Sequence, residues 1–256
     1  MGHRASATDE VNELRDQYLG LLERSLTGTI APEVRTLNGQ PYDPALREDG
    51  RDRPAEALTM VGLKRLRDLR WCVETILANG VPGDLLEAGV WRGGVGIYLR
   101  ALLAAHEDRL RRVWIADSFR GLPPPELGGA TEDVGDLHWT HSELAVGLGE
   151  VLENFDRYGL LDGRVRVIEG WFEQTLASAP VERLALLRAD GDMYSSTWTI
   201  LEQLEPKVAP GGFIVIDDYG AVPGCRTAVD RYRELNGIDA PLVDIDWTGV
   251  RWRKPF

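Results

Sequence analysis

Apolar positions repeat with two different spacings along the chain, and the spacing changes near residue 80. Over residues 11–26 apolar side chains recur every three or four positions, and the same spacing returns over residues 59–78, so each stretch predicts an amphipathic helix. Residues 27–54 between them are rich in glycine, proline and charge, which is typical of a long loop or flap. Residues 1–80 are therefore predicted to be a helical N-terminal extension with a flap.

Beyond residue 80, short apolar runs alternate with helical patterns. The runs with the length and composition of buried strands are residues 83–90, 112–116, 165–169, 184–188 and 212–216. The helical patterns between and after them are residues 94–105, 143–158, 194–204 and 225–235. Such alternation predicts an α/β fold with a parallel sheet covered by helices on both faces. Residues 242–246 and 250–254 flank Trp247-Thr248-Gly249 and predict an antiparallel hairpin at or near one edge of that sheet.

Composition agrees with an ordinary globular protein and excludes several classes of partner. The chain has 256 residues, and 41 Asp and Glu against 29 Lys and Arg give a formal net charge of −12, which disfavours nucleic acid and anionic lipid. No apolar run approaches the roughly 20 residues of a membrane span, and the N-terminus lacks the layout of a signal peptide. Two distant cysteines, Cys72 and Cys225, offer neither a disulfide framework nor a thiolate metal site. We therefore expect a cytoplasmic protein without a membrane partner.

A glycine-containing motif follows the first predicted strand of the core. Residues 87–94 read Glu-Ala-Gly-Val-Trp-Arg-Gly-Gly, which is not the dinucleotide spacing, and the acidic position 87 suits a cation better than a pyrophosphate. Asp117 ends the next strand, where a carboxylate can accept both hydroxyls of a ribose, and Ser118 follows it. A nucleoside with a positive centre, S-adenosylmethionine, is therefore the favoured ligand. The candidate cofactor residues of the motif are Glu87, Gly89, Trp91, Arg92 and Gly93.

A flat apolar surface for the adenine is expected after the third strand of the core. Gly170 and Trp171, followed by Phe172, occupy that position. Consecutive aromatic residues are also common in plain hydrophobic cores, and this alternative stays open.

Four aspartates follow two further strands. Asp190 and Asp192 come after one strand and Asp217 and Asp218 after the other, and the carboxyl ends of adjacent parallel strands lie about 4.8 Å apart. Crowded carboxylates without His or Cys suit a hard divalent ion, Mg²⁺ first and Mn²⁺ or Ca²⁺ after it, although single aspartates also cap helices. Such an ion lowers the pKa of a bound hydroxyl and orients it. Asp192 is our candidate general base, and Asp190 could combine both roles.

These motifs carry a family resemblance. The segments 85–94, 114–123, 187–198 and 211–219 resemble the macrocin O-methyltransferase family, whose metal-dependent members methylate sugar hydroxyls on macrolides, aminocoumarins and related natural products. The similarity covers about residues 14–254, and Asp-Gly-Asp-x-Tyr together with Asp-Asp-Tyr is its most specific part. The resemblance implies a Rossmann-like class I methyltransferase with a seven-stranded sheet and a Mg²⁺ site formed by Asp190, Asp217 and Asp218. It also implies a homo-oligomer, most simply a dimer.

The resemblance extends to the segments that cover the site. It implies that Thr59 and Met60 help to enclose the cofactor, and that flaps at residues 27–54 and 121–145 cover the acceptor. His138 and His141 lie in the second flap and are further candidates for acceptor contact or for the general base, with no ranking between them. Residues 1–256 are expected to form one methyltransferase domain with its core at 81–256.

The expected reaction is transfer of a methyl group from S-adenosylmethionine to a sugar hydroxyl of a glycosylated secondary metabolite. A phenolic or catechol-like acceptor is the alternative, because the flaps that select the acceptor have no readable code. A nucleotide-dependent oxidoreductase is disfavoured by the glycine spacing and the acidic residue 87. A non-catalytic binding protein is disfavoured by the intact acidic set.

Overall fold

A computed structural model describes residues 7–125 and 130–256, so residues 126–129 of the predicted mid-chain flap lie outside the described part. The helices are α1 (Ala7–Leu26), α2 (Pro44–Asp49), α3 (Leu63–Ala78), α4 (Gly94–Ala105), α5 (Leu148–Arg157), α6 (Phe172–Thr175), α7 (Tyr194–Leu204) and α8 (Pro223–Leu235). The strands are β1 (Asp84–Ala88), β2 (Val113–Asp117), β3 (Val165–Glu169), β4 (Leu184–Ala189), β5 (Val208–Ile216), β6 (Val243–Asp244) and β7 (Val250–Arg253).

The seven strands form one mixed sheet in the order β3-β2-β1-β4-β5-β7-β6. The first five are parallel, and β7 pairs antiparallel with both β5 and β6, which confirms the predicted parallel sheet with an antiparallel hairpin at one edge. Every residue of β4 is buried, as expected for a central parallel strand covered on both faces. All carboxyl ends of the parallel strands therefore meet at one edge.

Two hydrophobic cores lie on opposite faces of the sheet. One contains the apolar faces of α1, α3, α4 and α5, and the other contains those of α7 and α8. The apolar spacing that predicted helices from sequence is the spacing buried against the sheet here. No helix in the described ranges is long and apolar enough to cross a bilayer.

The N-terminal extension differs from the predicted pattern in two places. The predicted loop 27–54 contains α2, which begins at Pro44 after the N-cap Asp43 and ends at Asp49. The C-cap Gly50 follows it with a left-handed φ of 67°. The predicted helix 59–78 begins only at Leu63, because Gly62 packs against the end of α2. A Cβ on Gly62 would lie 2.4 Å from the Gly50 nitrogen. Local helix propensity is overridden by this backbone contact.

The mid-chain segment also contains more structure than the sequence pattern indicated. Its described residues include three single-turn 3₁₀ helices, at Thr131–Asp133, His138–Thr140 and Ser142–Leu144. The predicted helix 143–158 starts at Leu148, five residues late, after the N-cap Gly147. Asp133 fastens this segment to α7, because its carboxylate accepts hydrogen bonds from the backbone nitrogens of Tyr194 and Ser195 at 2.7 and 3.0 Å.

Candidate active site

A cavity of about 340 Å³ opens at the carboxyl edge of the sheet. Its wall combines strand ends with parts of the N-terminal extension and the mid-chain segment. The residues predicted from sequence that line it are Thr59, Met60, Glu87, Gly89, Trp91, Asp117, Ser118, His138, His141, Trp171, Asp190, Asp192, Asp217 and Asp218. The fold thus gathers residues that are up to 159 positions apart around one space.

Three of the predicted cofactor residues lie outside this wall, namely Arg92, Gly93 and Gly170. Arg92 instead donates hydrogen bonds from Nη1 to the carbonyl oxygens of Ala55 and Ala57, at 2.7 and 3.0 Å, and so holds the segment before α3. Gly93 has a φ of 86°, and a Cβ there would lie 3.0 Å from the Val151 side chain of α5. These two residues therefore serve the packing around the motif.

Position 89 requires glycine because the ends of β1 and β4 come very close together there. It has a φ of 90°, a left-handed conformation, and a Cβ built there would lie 1.8 Å from the carbonyl oxygen of Asp190. The sequence argument assigned the glycines of this motif to close approach of a ligand. At Gly89 the structure gives a second reason, since the end of β1 lies against the end of β4.

Asp117 is already held by the backbone around it. Its Oδ2 accepts a hydrogen bond from the Val90 nitrogen and its Oδ1 accepts one from the Phe119 nitrogen, both at 2.7 Å. Burial raises the pKa of Asp117. The hydrogen bonds lower it, but the effect of burial is larger. The Ser118 hydroxyl also lies 3.5 Å from Oδ1, so most of the roughly four lone-pair positions of the carboxylate are already used by its surroundings. The residue is preoriented at the cavity wall.

Arg188 is the main residue that sequence reasoning missed. It is 2% exposed, lies opposite Glu87 in the β1–β4 register, and donates from Nη1 to Glu87 Oε1 at 2.7 Å. Its Nη2 contacts Asp190 Oδ2 at 2.8 Å and Asp217 Oδ1 at 2.7 Å. The sequence feature that could have indicated its role is the position of an arginine within the otherwise apolar strand β4.

The pairing changes what position 87 offers to a ligand. Burial raises the pKa of Glu87 to about 8, with the Arg188 charge acting in the opposite direction. One of its oxygens, Oε2, has no hydrogen-bond partner among the described residues. Glu87 therefore keeps one acceptor free while its other oxygen is neutralised by Arg188.

Three carboxylates converge beside this arginine. Asp190, Asp192 and Asp218 each place one oxygen within 4.8 Å of the others. Asp192 has a left-handed φ of 52°. This backbone conformation is uncommon for residues other than glycine, and where it occurs it is often at a functional site. Burial and the Asp190 charge raise the pKa of Asp192 to about 7, and burial and the Asp192 charge raise that of Asp218. Three acidic groups are thus crowded at one point of the cavity wall.

Asp217 lies beside this cluster with a different orientation. Its Oδ1 contacts Arg188, and its Oδ2 accepts a hydrogen bond from Nη1 of Arg65 in α3. Burial opposes ionisation of Asp217, but the two guanidinium groups outweigh it and lower the pKa. The predicted ligand triad and the converging group therefore share Asp190 and Asp218 and differ in the third member.

Both candidate histidines reach the cavity through the mid-chain segment. His138 Nδ1 lies 2.9 Å from Asp136 Oδ2, and His141 Nδ1 lies 3.3 Å from Glu143 Oε1. Arg53 of the N-terminal extension contacts the same Glu143 oxygen at 3.5 Å. The two predicted flap segments thus meet over the cavity.

The fold and the position of the cavity define a class of protein. A parallel doubly wound sheet with one antiparallel edge strand and a ligand cavity at its carboxyl edge is the class I methyltransferase fold, which implies S-adenosylmethionine as the donor.

Comparison with known proteins identifies the family. The Macrocin-O-methyltransferase (TylF) family matches residues 21–254, and the chain belongs to it. The chain is 53% identical over 249 residues, 94% of each sequence, to "8-demethyl-8-(2,3-dimethoxy-alpha-L-rhamnosyl)-tetracenomycin-C 4'-O-methyltransferase" of Streptomyces olivaceus. It is 46% identical over 251 residues, 96% of each sequence, to "Demethyldecarbamoylnovobiocin O-methyltransferase" of Streptomyces niveus. The solved structure of the O-methyltransferase NovP matches with a TM-score of 0.91 and 46% identity, covering 94% of this chain and all of that one. The protein is a methyl-transferring enzyme.

Proposed function

We propose that the protein transfers a methyl group from S-adenosylmethionine to a sugar hydroxyl of a glycosylated natural product, with the help of Mg²⁺. One observation carries the proposal: three converging carboxylates and the donor-side residues line the same cavity. The name of the tetracenomycin relative, which is 53% identical to this chain over 249 residues, includes a rhamnosyl group and supports a sugar-bearing acceptor.

The donor is proposed to lie over the ends of β1, β2 and β3. Asp117 stands in the cavity wall at the end of β2, where ribose hydroxyls can reach its carboxylate, and Trp171 offers a flat surface for the adenine at the next strand end. Glu87 lines the same end of the cavity and is proposed to interact with the positively charged part of the donor. Thr59 and Met60 cover this half from the N-terminal extension.

The acidic cluster fits a divalent cation. Its donors are all oxygens, which Mg²⁺ prefers, and the buried Oδ2 of Asp218 has no hydrogen-bond partner in the described ranges. We propose Asp190 and Asp218, which belong to the converging group, as ligands together with Asp217. Asp217 stands outside that group, and each of its oxygens also contacts an arginine. When bound, the ion lowers the pKa of an acceptor hydroxyl and fixes its oxygen.

Asp192 is then proposed to take the proton. The hydroxyl oxygen forms a bond to the methyl carbon as the carbon–sulfur bond breaks. The electron pair of the broken bond stays on sulfur, and the hydroxyl proton passes to the Asp192 carboxylate. The Asp192 side chain lies in the cavity wall, and His138 contributes a second titratable group there. The flaps that meet at Glu143 exclude water around the donor.

The test is an acceptor screen with a labelled methyl donor, with and without added Mg²⁺. Label is expected on 8-demethyl-8-(2,3-dimethoxy-α-L-rhamnosyl)-tetracenomycin C or on another glycoside, and EDTA is expected to abolish the transfer. Label transfer to simple catechols alone would favour the phenolic acceptor, and full activity in EDTA would refute the metal assignment.

Metal binding itself separates the two candidates for the third ligand. Calorimetry with Mg²⁺ or Mn²⁺ is expected to show weaker metal binding in Asp217→Asn and nearly unchanged metal binding in Asp192→Asn. Asp192→Asn is nevertheless expected to lose methyl transfer, because it lacks the proposed general base. The reverse pattern would make Asp192 the ligand.

A further inference from the structure

The turn between β6 and β7 lies next to the acidic cluster. β7 runs antiparallel to β5, and its first residue, Val250, pairs with Ile216, the last residue of β5. The hairpin turn that precedes Val250 is therefore at the carboxyl edge, beside Asp217 and Asp218. Sequence analysis identified Trp247 only as a member of this turn.

The backbone of the turn is fixed to the site by several contacts. Asp246 Oδ1 accepts a hydrogen bond from the Thr248 nitrogen at 3.0 Å, and its Oδ2 accepts one from Arg65 Nε at 2.7 Å. The Thr248 hydroxyl donates to the carbonyl oxygen of Asp217 at 3.2 Å. A Cβ on Gly220 would lie 2.4 Å from the Trp247 carbonyl oxygen, so the two chain segments are in backbone contact. Trp247 has a defined position relative to the carboxylates.

The indole of Trp247 forms part of the cavity wall. The residue lines the cavity and is 38% exposed, which is high for a tryptophan held on such a rigid turn. The guanidinium of Arg51 lies 5.0 Å from the ring centroid, a distance typical of a cation–π contact, and Arg51 itself does not line the cavity. Trp247 therefore contributes part of a large, mostly apolar side chain to the cavity wall.

The order of the strands places this surface on the side opposite to the donor. Along the carboxyl edge, the donor-side residues follow β3, β2 and β1, the carboxylates follow β4 and β5, and the turn of Trp247 comes next, at β7. Methyl transfer requires the acceptor oxygen to approach the methyl carbon from the side opposite to sulfur. With the donor placed as proposed above, the acceptor is therefore expected on the side of Trp247.

We propose that Trp247 is the platform on which the sugar of the acceptor stacks and that it determines acceptor affinity. The inference rests on the proposed function. One face of a pyranose ring carries mainly C–H groups, which pack well on an indole, while the hydroxyls at the ring edge stay free to reach the carboxylates. The rigid turn lowers the entropy cost of binding because the platform is preformed.

The test compares steady-state kinetics of Trp247→Leu and Trp247→Phe with wild type, using the demethyl rhamnosyl-tetracenomycin as the acceptor probe. Trp247→Leu is expected to raise the acceptor KM about tenfold or more, while the Kd for S-adenosylmethionine stays within about twofold. Trp247→Phe keeps an aromatic ring, and its acceptor KM is expected to lie between those of the wild type and Trp247→Leu. The matched control is Trp71→Leu, which removes a tryptophan of similar exposure on α3 outside the cavity wall.

The outcomes separate this inference from the proposed function. Absence of label transfer to any glycoside by the wild-type enzyme would refute the proposed function. Transfer with an unchanged acceptor KM in Trp247→Leu would refute only the platform. If thermal melting shows that Trp247→Leu is unfolded, Trp247→Phe decides: a raised acceptor KM supports the platform and a wild-type value overturns it. A loss of kcat and donor binding without a selective rise in acceptor KM would indicate a structural role and also overturn it.

Discussion

Replacement of Gly89 by alanine tests how the two central strand ends form the site. The new Cβ would lie 1.8 Å from the carbonyl oxygen of Asp190, a contact that only a backbone shift can relieve. The φ of 90° adds strain of about 1–2 kcal/mol for a residue with a Cβ. Displacement of packed neighbours adds about 1–3 kcal/mol, so the free energy of unfolding is expected to fall by about 2–5 kcal/mol.

Gly159→Ala is the matched control for this substitution. Gly159 also has a positive φ, 66°, but a Cβ there meets no described atom within 4 Å. Gly159→Ala is expected to lower the free energy of unfolding by the backbone strain alone, about 1 kcal/mol. The difference between the two variants isolates the clash with Asp190.

The assay is urea denaturation followed by circular dichroism, with methyl transfer measured on the same samples. Gly89→Ala is expected to unfold at a clearly lower urea concentration than Gly159→Ala, and to lose activity because the shift moves the Asp190 carboxylate. Equal midpoints together with retained activity would refute the close approach of the strand ends as the reason for Gly89.

Two further substitutions test the charged groups of the site. Asp117→Ala is expected to weaken S-adenosylmethionine binding by about tenfold or more in calorimetry, because hydrogen bonds to a charged group are lost, and an unchanged affinity would remove Asp117 from the donor site. Arg188→Leu leaves the partly or fully buried Glu87, Asp190 and Asp217 without their shared counter-charge and is expected to lower the free energy of unfolding by about 3–5 kcal/mol in urea titrations. A change below about 1 kcal/mol would contradict the role given to this arginine.

The succession of elements could be predicted because it depends on local patterns. Apolar spacing located every parallel strand within a few residues, with β5 beginning four residues before its predicted start. The boundaries that were wrong lie where a distant segment intervenes, as at Gly62, whose contact with α2 delays the start of α3. A periodicity argument has no access to such contacts.

Sequence alone also placed the aspartates and the Glu87 motif at strand ends, since parallel strands bring their carboxyl ends to one edge. Only the tertiary structure decided how these charges are paired. Arg188 bridges two strands through their register, and Arg65 reaches Asp217 from a helix 152 positions away. Trp247 likewise reaches the cavity only because β7 returns beside β5. Local patterning determines which residues stand at the edge of the sheet, whereas ion pairs and cavity walls depend on side chains that are distant in sequence, and packing alone brings those together.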